Sequence, residues 1–205
     1  MRNVQDHYAR KARIERYRAR SVYKLIEIDE KFGIIKKNMR ILDLGCAPGS
    51  WTQYMLKKIG RGSIVGVDTE KSVHLDDDRF TFLSADIRTL DSTESGIHTD
   101  SGIHTDIGTQ PFDLITSDAM PNTTGNKFSD AQASLNLVQA VFHLAENILR
   151  PGGSVVAKVF QGEDLGDFVR TIKGSYQRVV LFKPKSSRKE SREIFIVALN
   201  STHRE

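Results

Sequence analysis

The chain contains one cysteine and no apolar run long enough to cross a membrane, and each shortage excludes a class of protein. A single cysteine rules out an internal disulfide framework, which suits a reducing compartment. The six histidines do not pair with cysteine at metal-ligand spacing, so we expect no metal site. Residues 1–20 also lack the apolar segment of a secretory signal. At 205 residues, the expectation is one monomeric, cytoplasmic domain without a membrane partner.

Positive charge is small in total but unevenly distributed. The net charge is +4, yet residues 1–20 form a strongly basic arm, and a second basic cluster surrounds Ser186 and Ser187. Two such clusters favour a polyanion partner, and nucleic acid in particular, over two solvated faces. An arginine-rich start is also found in mitochondrial presequences, and that alternative stays open. The candidate phosphate contacts are Arg10, Lys11, Arg13, Arg16, Arg18, Lys185, Arg188 and Lys189.

Strand-like and helix-like segments alternate along the rest of the chain. A helix is predicted from Ser21, as N-cap, to Phe32, with Gly33 as its stop. The other predicted helices are 49–59, 130–149 and 163–174, and the predicted strands are 40–44, 63–67, 79–83, 112–117, 153–159, 176–182 and 193–199. This alternation predicts an α/β domain over 21–205, with a mostly parallel seven-stranded sheet and helices on both faces. The last two strands leave no room for a helix between them, so we expect them to be antiparallel neighbours.

Residues 91–110 interrupt this pattern. The hexapeptide at 95–100 is repeated verbatim at 101–106, in a stretch rich in Gly, Ser and Thr. A polar exact repeat of this kind predicts a duplication within a surface-loop insertion, and not a functional motif. His98 and His104 could bind a metal in principle, but the surface loop is the better interpretation.

The segment 40–51 carries the clearest functional signal. It predicts a buried strand, a turn containing Gly45 and Gly49, and a helix whose first N–H groups face a ligand. A second strand ends at Asp68, nineteen residues after Gly49, which is about where nucleotide-binding sheets place an acid on a ribose hydroxyl. The pattern predicts a nucleoside site, although any strand–helix–strand unit needs such glycines and Asp68 could simply cap a loop.

Four carboxylates and one lysine fall at the carboxyl ends of predicted strands, where ligands of open α/β sheets bind. They are Asp43, Asp68, Asp86, Asp118 and Lys158. A lysine within an apolar strand is normally paired or functional, and desolvation favours the neutral form that a base requires. Lys158 is therefore a candidate base, with an ion pair to Asp118 as the structural alternative, and Asp86 is a candidate ligand contact or a loop cap.

Five separated motifs, in order over about residues 10 to 200, resemble the FtsJ-type ribose 2′-O-methyltransferases that use S-adenosyl-L-methionine (SAM). The motifs are residues 21–25, 43–51, 117–122, 158–162 and 183–193. The resemblance implies a Rossmann-like methyltransferase fold and methyl transfer to an RNA ribose, most closely to a uridine of 23S ribosomal RNA. One departure is the order Ala119-Met120, which is reversed in the family and which we expect to leave activity intact.

The resemblance also implies roles for individual residues. The family's catalytic tetrad falls on Lys24, Asp118, Lys158 and Glu193. Its SAM contacts fall on Gly49, Trp51, Asp68, Asp86 and Asp118, to which the glycine turn adds Gly45 as a cofactor-binding candidate. Asp68 is expected on the SAM ribose and Asp86 on the adenine amino group. Trp51 is expected beside the methionine part or, alternatively, in the core.

Two other functions and one other substrate are alternatives to this interpretation. An NAD-dependent oxidoreductase is disfavoured because the first loop lacks G-x-G-x-x-G. A non-catalytic RNA-binding module is disfavoured because all four tetrad positions are intact. Transfer RNA stays open as an alternative substrate to ribosomal RNA.

Overall fold

Seven strands form one sheet in the computed structural model, which describes residues 4–93, 96–98 and 110–202. The strands are β1 (Arg40–Leu44), β2 (Ser63–Asp68), β3 (Phe80–Ser84), β6 (Phe112–Ser117), β7 (Leu149–Phe160), β8 (Tyr176–Phe182) and β9 (Glu193–Ser201). Their order in the sheet is β3-β2-β1-β6-β7-β9-β8. Only β9 is antiparallel, and it lies between β7 and β8. The predicted sheet and its one reversed strand are confirmed.

Five α-helices occur in the described residues. They are α1 (Val4–Ile14), α2 (Val22–Phe32), α3 (Ser50–Lys58), α4 (Lys127–Ile148) and α5 (Leu165–Ile172). Gly33, with a φ of 62°, ends α2 as predicted. Ser21 precedes α2, but its side chain makes no capping hydrogen bond, because its hydroxyl lies 3.0 Å from Ser50 Oγ instead.

The first turn of α4 shows why sequence periodicity misplaced one boundary. The helix begins three residues before the predicted 130, because the Asn126 side chain accepts hydrogen bonds from the N–H groups of Phe128 and Ser129. An N-cap satisfies donors that the first turn would otherwise leave unpaired. Apolar periodicity starts only after this capped turn, so the pattern alone could not locate it.

The sheet buries a separate core on each face. Leu42 and Leu44 of β1 pack with residues of α4 and α5, whereas Ile41 packs with residues of α2 and α3. This division follows from the alternation of side chains along a strand. Helices cover both faces, so the carboxyl ends of the parallel strands form the edge at which polar groups can meet.

A buried acid lies within the second of these cores. The carboxyl of Asp43 is only 1% exposed and accepts hydrogen bonds from Thr52 Oγ1 at 2.6 Å and from Thr116 Oγ1 at 2.8 Å. Burial raises the pKa of Asp43 to about 7, and these two hydroxyl groups offset only part of that rise. The folded protein therefore holds a proton here that the unfolded chain releases near pH 4.

The insertion is only partly described. Asp91–Thr93 and Gly96–His98 (β4 and β5) form a short antiparallel pair, whereas the second copy of the hexapeptide lies outside the described residues. Among the described residues, no helix is both long and apolar enough to span a membrane.

Replacing Asp43 with Asn tests the buried proton. Because the native pKa lies above the unfolded value, this group makes the wild type lose stability as pH rises from about 4 to 7, by up to about 1.4 kcal/mol per pH unit. Asp43→Asn removes that slope, so its stability relative to wild type should rise over this interval and level off above it. Urea unfolding at several pH values measures the difference, and parallel curves for the two proteins would contradict the assignment.

Candidate active site

Four charged side chains from four separate elements meet at the carboxyl edge of the sheet. Lys24 comes from α2, Asp118 follows β6, Lys158 lies in β7 and Glu193 begins β9. Lys24 Nζ lies 2.8 Å from Glu193 Oε1 and 4.0 Å from Asp118 Oδ1, and Lys158 Nζ lies 3.0 Å from Asp118 Oδ1. Lys158 also donates to the backbone carbonyl of Asp118. The four residues expected from the resemblance therefore form one continuous ion-pair network.

This network is largely shielded from solvent. The four side chains are between 9% and 18% exposed. Burial by itself would raise the pKa of Glu193, but the charge and hydrogen bond of Lys24 outweigh it, and the pKa is lowered. Glu193 is thus held as a carboxylate, which fixes the position of Lys24.

The loop that leads into β9 is anchored to the helix that carries Lys24. The carboxylate of Glu27, one turn after Lys24, accepts hydrogen bonds from the N–H groups of Lys185 at 2.6 Å and Ser186 at 2.9 Å. Arg20 donates to the Ser186 carbonyl at 3.3 Å. Sequence reasoning missed Glu27, because its partners are about 160 residues away in the chain. The available signal was its position on the same helix face as Lys24.

A cavity of about 770 Å³ adjoins the tetrad and shares Asp118 with it. Gly45, Asp68 and Asp86, three of the residues expected to contact the cofactor, also line it. Gly45 has a φ of 71°, and a Cβ there would lie 2.6 Å from Ala119, so no larger residue fits this turn. Asp68 accepts hydrogen bonds from Ala47 N at 2.9 Å and Glu70 N at 3.2 Å, and thereby ties both neighbouring loops to the cavity wall.

Asp86 has a partner within the protein. Its carboxylate accepts a hydrogen bond from the Arg88 N–H at 2.9 Å and pairs with the Arg88 guanidinium at 2.5 Å. The hydrogen bond from the Arg88 side chain lowers the pKa of Asp86, so the group is an anion in the cavity wall. A ligand amino group at Asp86 would share this carboxylate with Arg88.

Gly49 and Trp51 are not among the described residues that line the cavity. Gly49 has a φ of 99° and precedes α3, where a Cβ would lie 3.3 Å from Val73. Trp51 is 3% exposed, donates from its indole N–H to the Ser21 carbonyl at 2.9 Å, and packs on Phe195. In this structure the tryptophan therefore lies in the core, which was the alternative expected for it.

One wall of the cavity was not predicted from the sequence. Ala133, Asn136 and Leu137 of α4 supply it, together with Met120 and Asn122 of the loop after β6. The two loop residues belong to the motif at 117–122, but the α4 residues belong to no motif. Only the packing of α4 against β6 and β7 places them beside the cavity.

The predicted phosphate contacts divide into free and engaged side chains. Arg10, Arg13 and Arg16 are exposed, and so are the side chains of Lys185, Arg188 and Lys189. Two others already bind the protein itself. Lys11 pairs with Glu15 at 3.8 Å and lies over the Tyr23 ring, whereas Arg18 donates to the carbonyl groups of Pro48, at 3.0 Å, and His74. The bond from Arg20 to Ser186 brings the two basic segments together beside Lys24.

Comparison with known proteins identifies the family. The profile described as FtsJ-like methyltransferase matches residues 17–201. The chain belongs to the FtsJ-like methyltransferase family. It is 43% identical over 201 residues to the ribosomal RNA large subunit methyltransferase E of Brachyspira hyodysenteriae, which covers 98% of this chain and 97% of the relative. The protein of the same name from Desulfosudis oleivorans is 41% identical over 206 residues, covering 98% and 95%.

A solved structure agrees with this family assignment. A Plasmodium falciparum protein, described provisionally as a ribosomal RNA methyltransferase, superposes with a TM-score of 0.79 at 32% identity, covering 92% of this chain and all of that one. The expected FtsJ-type resemblance and Rossmann-like fold are thus confirmed, and the chain is a methyltransferase. The chemistry of this FtsJ-like chain depends on the ion-pair network and on the adjoining cavity.

Proposed function

We propose that this protein transfers a methyl group from SAM to a ribose 2′-hydroxyl of large-subunit ribosomal RNA, at a uridine. The observation that supports this most directly is the position of Asp118. It pairs with Lys158 in the tetrad and also lines the adjoining cavity, so the reacting groups and the methyl donor would meet at one residue.

The cavity residues fit SAM by the chemistry of their donor and acceptor groups. Asp68 ends β2, where such sheets place an acid on a ribose, and Asp86 offers a carboxylate to an exocyclic amino group. Asp118, the tetrad residue that also lines the cavity, supplies a third carboxylate, which suits a positively charged donor. We assign Gly45, Asp68, Asp86 and Asp118 to direct contact with SAM, and Gly49 and Trp51 to shaping the loop and helix that hold it.

The mechanism requires that a weakly acidic hydroxyl become a nucleophile. When bound, SAM supplies an electrophilic methyl group on a sulfonium. Lys158, as the neutral amine, accepts the proton of the 2′-hydroxyl and becomes an ammonium, and Lys24 supplies positive charge that stabilises the developing alkoxide. Glu193 holds Lys24 at 2.8 Å, and Asp118 holds Lys158 at 3.0 Å, so both lysine side chains are positioned before the substrate arrives.

The substrate class follows from the named relatives and from charge. The relatives from Brachyspira and Desulfosudis are named for the large ribosomal subunit, and this chain aligns with nearly all of each. Its two basic segments meet beside the tetrad, as a strand of RNA running through the cleft would require. Transfer RNA is the second candidate, since basic segments contact any RNA backbone. We place the reaction in the cytoplasm and assign it to a single copy of the chain.

Replacing Lys158 tests the reaction itself. With tritiated SAM, the wild type should label large ribosomal subunits or their protein-free RNA in preference to transfer RNA. Lys158→Ala should abolish labelling and leave SAM affinity largely intact, because the lysine takes the proton and does not hold the cofactor. Lys158→Arg should be nearly as inactive, because a guanidinium cannot give up its proton at working pH. Substantial turnover by either variant would remove Lys158 from the mechanism.

Replacing Asp68 tests the cofactor site. Asp68→Ala should weaken SAM binding by about 1–3 kcal/mol, the range for loss of a charge-assisted hydrogen bond. Calorimetric titration measures the change. Asp68→Asn is the matched control, because it keeps an acceptor for Ala47 N and so separates loop support from ribose binding. An unchanged affinity in the alanine variant would show that Asp68 only caps the loop.

A double replacement tests the basic arm. Arg13→Ala together with Arg16→Ala should weaken RNA binding, lower the slope of its salt dependence by about one unit per lost phosphate contact, and leave SAM affinity unchanged. Lys36→Ala with Lys37→Ala is the control, since this exposed pair lies just before β1, at the opposite edge of the sheet. Equal RNA affinity for the arm variant and wild type across a salt series would mean that the arm is only a solvated surface.

A further inference from the structure

A second pocket, of about 240 Å³, lies between α4 and the segment that follows β7, and it shares no lining residue with the cavity beside Asp118. Its apolar surface comes from Phe128, Ala131 and Leu135 of α4 and from Phe160 at the end of β7. Phe160 pairs with Glu193 in the β7–β9 ladder. Arg192, which also lines the pocket, directly precedes Glu193 in the chain. The pocket therefore lies next to Glu193 in the chain and in the sheet, although none of the four tetrad residues lines it.

The exposed aromatic ring of Phe128 is the unusual feature of this pocket. Phe128 is 65% exposed, and only Ile14 and Leu181 join it as exposed large hydrophobic residues in the part of the chain that the structure describes. A large apolar side chain left in solvent beside a cleft often marks a binding surface. Because Phe128 contributes little to the core, core packing does not explain why a phenylalanine lies at this position.

The backbone that carries Phe128 is firmly held. Asn126 caps the helix with hydrogen bonds to Phe128 N at 3.0 Å and Ser129 N at 3.1 Å. The buried carboxylate of Asp130 accepts from Thr124 N at 2.7 Å and from Thr124 Oγ1 at 3.0 Å. The first turn of α4 is thus fixed at both ends, and the ring projects from a rigid support.

The other walls of the pocket are fixed in the same way. Arg192 donates to the Lys127 carbonyl at 2.8 Å, and its guanidinium lies 5.4 Å from the centre of the Phe160 ring. The backbone N–H of Phe160 donates to Ser134 Oγ at 3.0 Å, which ties the end of β7 to α4. The pocket is preformed, so a ligand would not have to order it on binding.

The charges around the pocket indicate which part of a nucleotide it would take. Lys127 and Arg192 are basic, but Glu163 and Asp164 line the same pocket and disfavour a phosphate. A base is uncharged, has a face that stacks on an aromatic ring, and offers N–H groups that a carboxylate can accept. The combination of Phe128, a guanidinium and two carboxylates therefore suits a base better than a phosphate.

We propose that this pocket receives the base of a nucleotide next to the methylated one, with Phe128 as its stacking platform. The inference rests on the proposed function, because it assumes that RNA occupies the cleft beside the tetrad. The base would leave the RNA stack and lie against Phe128, while its neighbour presents its ribose to Lys158. Such a contact would hold the target ribose in place without touching SAM.

Variants of Phe128 test the platform. Phe128→Ala should weaken binding of a single-stranded RNA that contains the target uridine by about 5- to 150-fold, the range for loss of one stacked base. Phe128→Trp should bind at least as well as wild type, and Phe128→Leu should resemble the alanine variant, because it keeps apolar bulk without an aromatic face. SAM affinity and melting temperature should stay unchanged in all three, since the residue is mostly exposed.

Abasic RNA identifies the ligand. A series of oligonucleotides is prepared in which each member lacks one base flanking the target uridine. For one member of the series, the loss of affinity for wild type should equal the loss that Phe128→Ala causes with intact RNA. The same oligonucleotide should bind wild type and Phe128→Ala equally, because the two changes remove one contact. Additive losses at every flanking position, or equal affinities for Phe128→Leu and wild type, would overturn the proposal.

Two further outcomes separate this inference from the proposed function. RNA binding that depends on Phe128, without methyl transfer, would contradict the proposed function and leave the pocket assignment standing. Methyl transfer at wild-type KM by Phe128→Ala would overturn the pocket assignment alone. A defect seen with assembled subunits but not with protein-free RNA would show that the pocket contacts a ribosomal protein, and would also overturn the proposal.

Discussion

The rest of the site depends on Asp118, because this residue contacts the two lysines and also lines the adjoining cavity. Its Oδ1 atom lies between Lys158, at 3.0 Å, and Lys24, at 4.0 Å, while the residue also forms part of the cofactor cavity. Two lysines at a largely buried edge would repel each other without carboxylates to separate them. Asp118 and Glu193 supply this compensation, so the arrangement holds two lysine side chains where the ribose hydroxyl would lose its proton. The topology makes it possible, because the reversal of β9 brings its first residue, Glu193, to the edge at which β6 and β7 end.

Contacts distant in sequence keep this arrangement in place. Glu27 binds two backbone N–H groups of the loop that leads into β9, and Arg20 binds a carbonyl group of the same loop. Because Lys24 lies between Arg20 and Glu27 on the same segment, any shift of the loop would also disturb the lysine and its partner Glu193. Arg18 plays a similar part at the cofactor side, where it joins the loop at Pro48 to that at His74. Through Arg18 and Arg20, the basic N-terminal segment is thus hydrogen-bonded to the loops around the cleft.

Much of this could be predicted from the sequence, for identifiable reasons. Buried strands and glycine turns are local patterns, so the seven strands were placed within a few residues, and the spacing of the last two revealed the reversed strand. Asp118 and Lys158 could be found at the predicted strand ends, whereas Lys24 and Glu193 were accessible only through the resemblance, because nothing in their spacing indicates that they lie 2.8 Å apart. The α4 wall of the cavity and the cap at Asn126 were not predicted, and the capping hydrogen bond predicted for Ser21 does not form. They depend on how elements pack and on which of two available partners a side chain takes, as Ser21 does with Ser50.

The position of the transferred methyl group tests the central claim most directly. Large-subunit RNA from ribosomes that lack the modification would be incubated with the protein and with SAM carrying a deuterated methyl group, digested to nucleosides and analysed by mass spectrometry. The proposed function predicts a single labelled product, 2′-O-methyluridine, with the label on the ribose fragment. A label on a base fragment, or labelled ribose spread over all four nucleosides, would contradict the assignment of this site to one ribose hydroxyl.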